Sequence, residues 1–433
     1  MHEYAKVSFY RYELSLPMHQ RHLSATFLPL LMLLALLLSR TVTAQETGVR
    51  FERGLSWAQV QAKAKAENKY IFMDCFTTWC GPCKHMRNVV FPQAEMGNFF
   101  NDKFVSVEVQ LDTTSKDDEH VKSWYADGHA IMKEYSIKAF PTYLIFTPDG
   151  RPLHRIVGSG TPTSFIKKVQ DAFDTTKQYY TKLKQFENGR RDTGFLRQFA
   201  IQVNDAYDLP LGMKVTKAYL AAIPNRITPA ALDLMLLYTS RSTDEYFSFI
   251  AGHANEINGV LGAGKAEEKI RSIFLREGRG IRWNDKQGTD WKNYQKKIRA
   301  TLPAHTDEIT MRINIDIYLA KRDWPQFEKA LTAYMKQYSK QMSNEDMNNI
   351  AWTAFEKCSD MTCVSKILEL SSQLKSSTEP AFLDTYANLL YKTGKIEEAM
   401  VWQQKAVDAS RENERPAYQT TLDKMKKGQK TWN

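Results

Sequence analysis

The sequence lacks a hydrophobic run long enough to cross a membrane. Its longest apolar run, Leu28–Leu38, reads LPLLMLLALLL, and a membrane-spanning helix needs about 20 apolar residues. It also lacks a glycine-rich phosphate loop, a recognisable Ser-His-Asp arrangement and an acidic metal cluster. We therefore predict no metal and no bound cofactor. Cysteine is scarce as well, with five in 433 residues.

The short apolar run has the features of a secretory signal. Val42 and Ala44 supply the small residues of a cleavage site before Gln45. We predict that residues 1–44 are a signal peptide, with a membrane anchor as the alternative. Met18 would give a more ordinary signal and is a candidate for the true start. The mature chain is then exported to a periplasmic or cell-envelope compartment that permits disulfides.

Composition indicates a folded chain of several domains. Hydrophobic residues make up 43% and aromatic residues 12% of the sequence, enough to bury real cores. The net charge is +10, but the basic residues are spread along the chain and interleaved with acidic ones. This pattern is typical of a solvated surface, so we predict no nucleic-acid partner.

Residues 45–178 alternate between helical and strand patterns. Such alternation predicts a compact α/β domain. The predicted helices are Ser56–Lys69, a helix beginning at Pro82, His120–Tyr135 and Thr161–Phe173, and the predicted strands are Tyr70–Phe76, Phe104–Leu111, 142–147 and 152–158.

From about Tyr179 onward the strand patterns disappear and helices separated by short breaks follow one another. This succession favours an all-α helical-repeat region. We divide it into a helical hairpin region at 179–300, helical repeats at 301–415 and a basic C-terminal tail at 416–433.

One segment of the helical half resembles a tetratricopeptide repeat. In Leu383–Ala409, the packing positions of the first helix hold Tyr386 and Ala387, the turn has Gly394, and small residues stand where two helices would touch. The small residues are Ala399 and Ala406. Alanine allows close helix approach and glycine permits a tight turn. An ordinary helical bundle is the alternative.

Three interpretations compete for Cys80-Gly81-Pro82-Cys83. Structural zinc needs four ligands, and no second pair lies nearby in the sequence. A purely structural bridge would close a tiny loop and constrain the unfolded chain little. A redox centre fits the position, because backbone N–H groups at a helix start favour a thiolate. Cys80 would be the exposed nucleophile, and the more buried Cys83 would resolve the mixed disulfide.

The motif WCGPCK, with a downstream FPT before a strand, resembles the thioredoxin family over about Gly54–Phe173. The exported setting and the long segment after Asp112 make this chain similar to the periplasmic domains of thiol:disulfide interchange reductases. The resemblance implies a thioredoxin fold, thiol–disulfide oxidoreductase chemistry and a redox-active Cys80–Cys83 disulfide in place of a cofactor.

The resemblance also implies roles for single residues. Asp74 matches the buried carboxyl that exchanges a proton with the resolving cysteine, and Pro141 matches a proline that is cis in the family. Glu108 stands where the family usually has a lysine, so we expect Asp74 to hold its proton more readily. The substrate groove implied by the family comprises Trp79, Gly81, Pro82, Phe140 and Gly158.

The other three cysteines carry weaker signals. Cys75 follows Asp74 in the strand and should point to the opposite face as a buried, inert thiol. Cys358 and Cys363 form either a structural disulfide or two free thiols.

The favoured function is an exported reductase of protein disulfides. We expect a membrane-embedded electron donor, because reduction in an oxidising compartment requires electrons from elsewhere, and a client or donor docked on the helical repeats. One alternative is a helical scaffold that uses the thioredoxin-like domain for binding. Another is an oxidase or isomerase that runs the same chemistry in the other direction.

Overall fold

A computed structural model describes residues 48–412 and 414–432. The predicted signal peptide, its cleavage before Gln45 and the alternative start at Met18 lie outside these residues. Within them, no helix combines the length and apolar character that a membrane crossing requires. The chain divides into two compact units, with the boundary between Gln178 and Tyr179.

The first unit is α/β and the second is all-α, which confirms the predicted fold class. The first unit contains α1 (Trp57–Glu67), β1 (Tyr70–Phe76), α2 (Gly81–His85), α3 (Ala94–Phe100), β2 (Phe104–Gln110), α4 (Glu119–Ser123), α5 (Tyr125–Glu134), β3 (Thr142–Phe146), β4 (Pro152–Val157) and α6 (Pro162–Gln170). Helix α2 continues into a π-helical turn, Met86–Val90, and α6 into a 3₁₀ turn, Asp171–Phe173.

The four strands form one sheet in the order β2-β1-β3-β4. β1 runs parallel to β2 and antiparallel to β3, which pairs antiparallel with β4. Side chains alternate along β1, so Phe72, Asp74 and Phe76 share one face of the sheet. Phe72 belongs to the aromatic core on that face, where its ring stacks 5.4 Å from Tyr143. Cys75 points to the other face.

The chain before α1 adds a short edge segment to the sheet. Phe51 bridges to Ser106 of β2 in parallel, and the Glu52 N–H donates to the Ser106 carbonyl at 2.8 Å. Ser56 then caps α1 by a reciprocal exchange with Gln59, which satisfies two N–H groups at the helix start. This edge segment lies next to the strand that carries Glu108.

The second unit is built from helices alone in its described residues. In chain order they are α7 (Tyr179–Glu187), α8 (Thr193–Asp205), α9 (Leu209–Ala222), α10 (Pro229–Leu237), α11 (Phe247–Gly252), α12 (Ala254–Leu261), α13 (Lys265–Asn284), α14 (Thr289–Thr301), α15 (Thr306–Lys321), α16 (Trp324–Tyr338), α17 (Asn344–Lys357), α18 (Met361–Leu370), α19 (Pro380–Lys392), α20 (Ile396–Ala409) and α21 (Arg415–Lys426). Short 3₁₀ turns join several of them.

Helices α19 and α20 form a hairpin whose small residues lie in the contact. Ala387, Ala399 and Ala406 are fully buried, and Gly394 adopts a φ of 83° at the turn, a conformation that favours glycine. The assignment of this hairpin to the tetratricopeptide family stays a prediction.

The predicted basic tail is largely folded. Helix α21 buries Leu422 and Met425, and the Trp432 ring lies 6.1 Å from that of Phe355. The apolar residues of this segment are spaced so that they lie on one face of the helix. The many lysines between them make this spacing hard to recognise in the sequence.

The suggested disulfide between Cys358 and Cys363 is absent from the structure, where both residues are free thiols. Cys358 ends α17 and Cys363 lies in the first turn of α18, and both are buried. Burial in the apolar core is the first cause of the raised pKa of each thiol, which keeps both protonated. They are therefore packing residues here.

A buried ion pair links α13 to α15. Glu308 is 2% exposed and accepts two hydrogen bonds from the Arg271 guanidinium, at 2.8 and 2.7 Å. The Tyr334 hydroxyl of α16 donates a third hydrogen bond to Glu308, at 2.6 Å. Three helices thus meet at one carboxylate.

Candidate active site

The two cysteines of the WCGPC motif lie where β1 passes into α2. Cys80 caps the helix, and Pro82 occupies its first turn, where a missing N–H costs nothing. Cys80 and Cys83 are joined by a disulfide with their Cα atoms 5.3 Å apart. The strand fixes the position of the first cysteine and the helix that of the second.

The start of α2 supplies the polar contact that a thiolate needs. The Cys83 N–H donates to Cys80 Sγ at 3.1 Å. When the disulfide is reduced, the same N–H and the positive end of the helix dipole favour the Cys80 thiolate over the thiol. This geometry suits Cys80 as a nucleophile.

The expected difference in exposure between the two cysteines is wrong for the disulfide state. Cys80 is 3% and Cys83 is 5% exposed. Both pack against Phe76 and Phe140, and this apolar cover is the reason that Cys80 is not open to solvent. Phe76 ends the strand just before the motif, whereas Phe140 comes from a distant part of the chain.

The predicted groove residues lie around the disulfide. Trp79 is 69% exposed, and its ring meets that of Phe140 edge-on at 5.8 Å. The Phe140–Pro141 peptide bond is cis, and the Gly158 N–H donates to the Pro141 carbonyl at 2.9 Å. Gly158 has a φ of 92°, which favours glycine there.

Gly81 and Pro82 complete this surface. Both are exposed in the first turn of α2. With the exposed Trp79, they leave the disulfide bordered by a surface that an extended polypeptide could cover.

Asp74 lies on the same sheet face as Phe76, between Glu108 of β2 and Tyr143 of β3 in the strand register. It is 1% exposed, and its Oδ1 has no hydrogen-bond partner within the described chain. Burial raises the pKa of the Asp74 carboxyl well above its usual range, and the nearby Glu108 carboxylate raises it further. Both effects favour the protonated form of Asp74.

Arg87 is a site residue that the sequence did not predict. Its Nε donates to Glu108 Oε1 at 2.7 Å, and its guanidinium stacks 4.0 Å above the Phe76 ring. Its positive charge opposes the rise in the Asp74 pKa. Glu108 pairs with Asp74 in the β1–β2 register, so two carboxyls and one guanidinium lie side by side.

A second unpredicted contact anchors the loop before the motif. Asp112, just after β2, accepts hydrogen bonds from the Thr78 N–H at 2.9 Å and from the Thr78 hydroxyl at 2.5 Å. Thr78 precedes Trp79 and Cys80 directly. Asp112 therefore ties the active-site loop to the neighbouring strand.

Replacing Asp112 with alanine should loosen this loop. Loss of two hydrogen bonds to a carboxylate is expected to destabilise the first unit by about 1.5–3 kcal/mol and to increase the mobility of Trp79. Urea unfolding and tryptophan fluorescence anisotropy would measure the two effects. Asp149→Ala, which removes an exposed ion pair with Arg151, is the control and should leave both nearly unchanged. If both variants changed the stability and the tryptophan anisotropy by the same amount, Asp112 would not be the anchor of this loop.

The described residues hold no cluster of metal-ligating side chains.

The family model for the thioredoxin-like domain matches residues 57–173. These residues form a thioredoxin-like domain. The match includes the disulfide, Asp74, Glu108 and the cis proline, and it agrees with the fold and family that the WCGPCK and FPT motifs predict. The chain therefore contains a thioredoxin-like domain that is homologous to thioredoxins and to the thioredoxin-like part of thiol:disulfide interchange proteins.

The similar proteins described next each cover a quarter to a third of this chain. Thioredoxin Y from Oryza sativa subsp. japonica chloroplasts is 29% identical over 25% of this chain and 54% of its own length. The thiol:disulfide interchange protein DsbD of Yersinia enterocolitica is 26% identical over 31% of this chain and 22% of its own length. A solution structure of a candidate disulphide-isomerase from Bacteroides thetaiotaomicron is 31% identical, covering 30% of this chain and 95% of that one, at a TM-score of 0.24. The chain thus spans about half of the thioredoxin and about a fifth of DsbD.

Proposed function

We propose that this chain is an exported reductase of protein disulfides. The observation that carries the proposal is the Cys80–Cys83 disulfide at the start of α2, with the Cys83 N–H directed at Cys80 Sγ. A pair so placed can alternate between dithiol and disulfide, which is the chemistry of the thioredoxin-like oxidoreductases.

The reaction begins with the reduced pair. The Cys80 thiolate bonds to one sulfur of a client disulfide, and the other client sulfur leaves as a thiolate that takes a proton from water. Cys83 then loses its proton, bonds to Cys80 Sγ and displaces the first client sulfur, which is protonated in turn. The client gains two electrons, and the protein is left with its disulfide.

Asp74 is the base for the second step. Burial raises the pKa of its carboxyl well above the usual range, which makes it a better base for the proton of Cys83 than an ordinary carboxylate. The exposed ring of Trp79 and the first turn of α2 are the surface on which the client strand would lie.

Three further parts of the proposal rest on the sequence. The apolar run before Gln45 supports export. An exported reductase needs a membrane-embedded donor to reduce Cys80–Cys83 again, and the Gly-Pro dipeptide between the cysteines favours the reducing direction by analogy with thioredoxin. The helical unit, rich in antiparallel hairpins, is a docking surface for the client or donor.

The direction can be tested by the reduction potential. We expect Cys80–Cys83 in the mature chain, equilibrated with glutathione buffers, to have a potential near about −270 mV, that of thioredoxin. The redox state would be followed by thiol alkylation and mass shift, with Cys80→Ser as the control that shows no pair. A value between about −120 and −180 mV would instead assign the protein to the oxidants and isomerases.

A further inference from the structure

The Glu108–Arg87 ion pair lies beside Asp74. It has no part in the disulfide exchange of Cys80, Cys83 and Asp74 as proposed so far. We propose that Glu108 carries the proton between Asp74 and solvent, and that Arg87 is the positioning residue that holds Glu108 for this transfer. The inference rests on the proposed function, because the proton in question is the one that Cys83 loses.

Asp74 has almost no direct access to water. The residue is 1% exposed, so a neighbouring polar group offers the efficient route for the proton that it takes from Cys83. In the strand register it lies between Tyr143 of β3 and Glu108 of β2. These two are its titratable neighbours across the sheet.

The Tyr143 side chain does not connect Asp74 to solvent. The Tyr143 ring is fully buried, and its hydroxyl has no partner among the described residues. Burial raises the pKa of this phenol far above neutral pH, so it keeps its proton. Cys75, next along β1, faces the other side of the sheet and is also fully buried, with a thiol pKa raised by burial. Neither group leads to solvent.

Glu108, on the other side of Asp74, is partly exposed to solvent. The Glu108 side chain is 18% exposed and that of Arg87 is 41% exposed. Both line a groove of about 450 Å³ between the edge segment and the turn after α2. Arg50 and Arg53 also line it and are exposed. Glu108 thus lies between the buried Asp74, its partner in the strand register, and a groove at the protein surface.

Arg87 fixes the orientation of Glu108. Its guanidinium is held over the Phe76 ring at 4.0 Å, and its Nε–H reaches Glu108 Oε1 at 2.7 Å. One carboxylate oxygen of Glu108 is engaged in this way, which leaves the other to receive a proton. In the resolving step the proton passes from Cys83 to Asp74, then to Glu108, and then to water in the groove. The electrons stay with sulfur: Cys83 bonds to Cys80 as the client sulfur leaves.

The test is the pH profile of the resolving step in the full mature chain. Cys80 is first loaded with a client as a mixed disulfide, and client release is timed from pH 5 to pH 9. Glu108→Gln should slow release by about tenfold or more and change its pH profile, while the alkylation rate of Cys80 in the reduced protein stays close to wild type. Arg87→Met should also slow client release, and Arg87→Lys should restore most of the release rate.

Arg151→Met is the matched control. It removes an ion pair of the same kind, Nε to carboxylate at 2.7 Å, from an exposed turn of the same domain. It should leave release and its pH profile unchanged. Thermal unfolding of each variant reports structural damage separately.

Wild-type release in Glu108→Gln at every pH would overturn the proton-carrier role. The same conclusion would follow if Glu108→Gln lowered the unfolding temperature and left the pH profile unchanged. If Arg87→Lys behaved like Arg87→Met, the positioning role would fail. A wild-type protein that exchanged no disulfide at all would instead overturn the proposed function, and the inference with it.

Discussion

Replacing Cys83 with serine is expected to trap the protein on its client as a stable mixed disulfide. In this variant the backbone N–H of residue 83 is still present and still favours the Cys80 thiolate. Attack on a client disulfide therefore still proceeds. The sulfur that would displace the client is gone, and turnover stops after one event. Replacing Cys80 with serine should abolish the reaction before any adduct forms.

The measurement is a reaction of each reduced variant with insulin, followed on a non-reducing gel. Cys83→Ser should give an adduct that a reductant dissolves, and mass spectrometry should map it to Cys80. Cys75→Ala is the matched control, since Cys75 is a buried free thiol in the adjoining strand. It should turn over like wild type. Full turnover by Cys83→Ser, or an adduct on another cysteine, would contradict the assigned roles.

The strands and the reactive pair were predictable because their signals are local. The runs YIFMDCF and TYLIF are apolar or aromatic except for Asp74 and Thr142, and they become β1 and β3, buried on both faces. The WCGPCK motif needs only the residues beside it to place two thiols at a helix start. Asp74 stands out locally as a lone carboxyl in an apolar strand, but its role was predicted from the resemblance to thioredoxin.

Residues joined over long distances in the sequence were not predictable. Arg87 reaches Glu108 across 21 positions and Thr78 reaches Asp112 across 34, and no periodicity marks either pair. The single helix predicted over His120–Tyr135 is two helices, meeting at Trp124. The Trp124 indole N–H donates to the Leu55 carbonyl at 2.9 Å, and that tertiary contact breaks the helix where the sequence shows no breaker.

Replacing Glu308 with alanine is expected to destabilise the helical unit strongly. The substitution leaves the Arg271 guanidinium, with 21% side-chain exposure, and the Tyr334 hydroxyl without their shared acceptor. Removing one partner of a buried ion pair typically costs about 3–5 kcal/mol, because the remaining charge is neither solvated nor paired. Burial is the first cause of the raised Tyr334 pKa, so this phenol keeps its proton and needs an acceptor.

Urea unfolding of the full chain, followed by helical circular dichroism, would measure this loss. Asp307→Ala is the control, since Asp307 is the preceding residue in α15 and its pair with Arg299 is exposed, at 3.8 Å. Exposed pairs contribute about 1 kcal/mol or less, so this variant should stay close to wild type. The double variant Glu308→Ala with Arg271→Met should recover part of the loss, because no unpaired charge is then left buried. If the double variant lost the sum of both single losses, the ion pair would not be what joins α13 to α15, and packing alone would account for the stability of this junction.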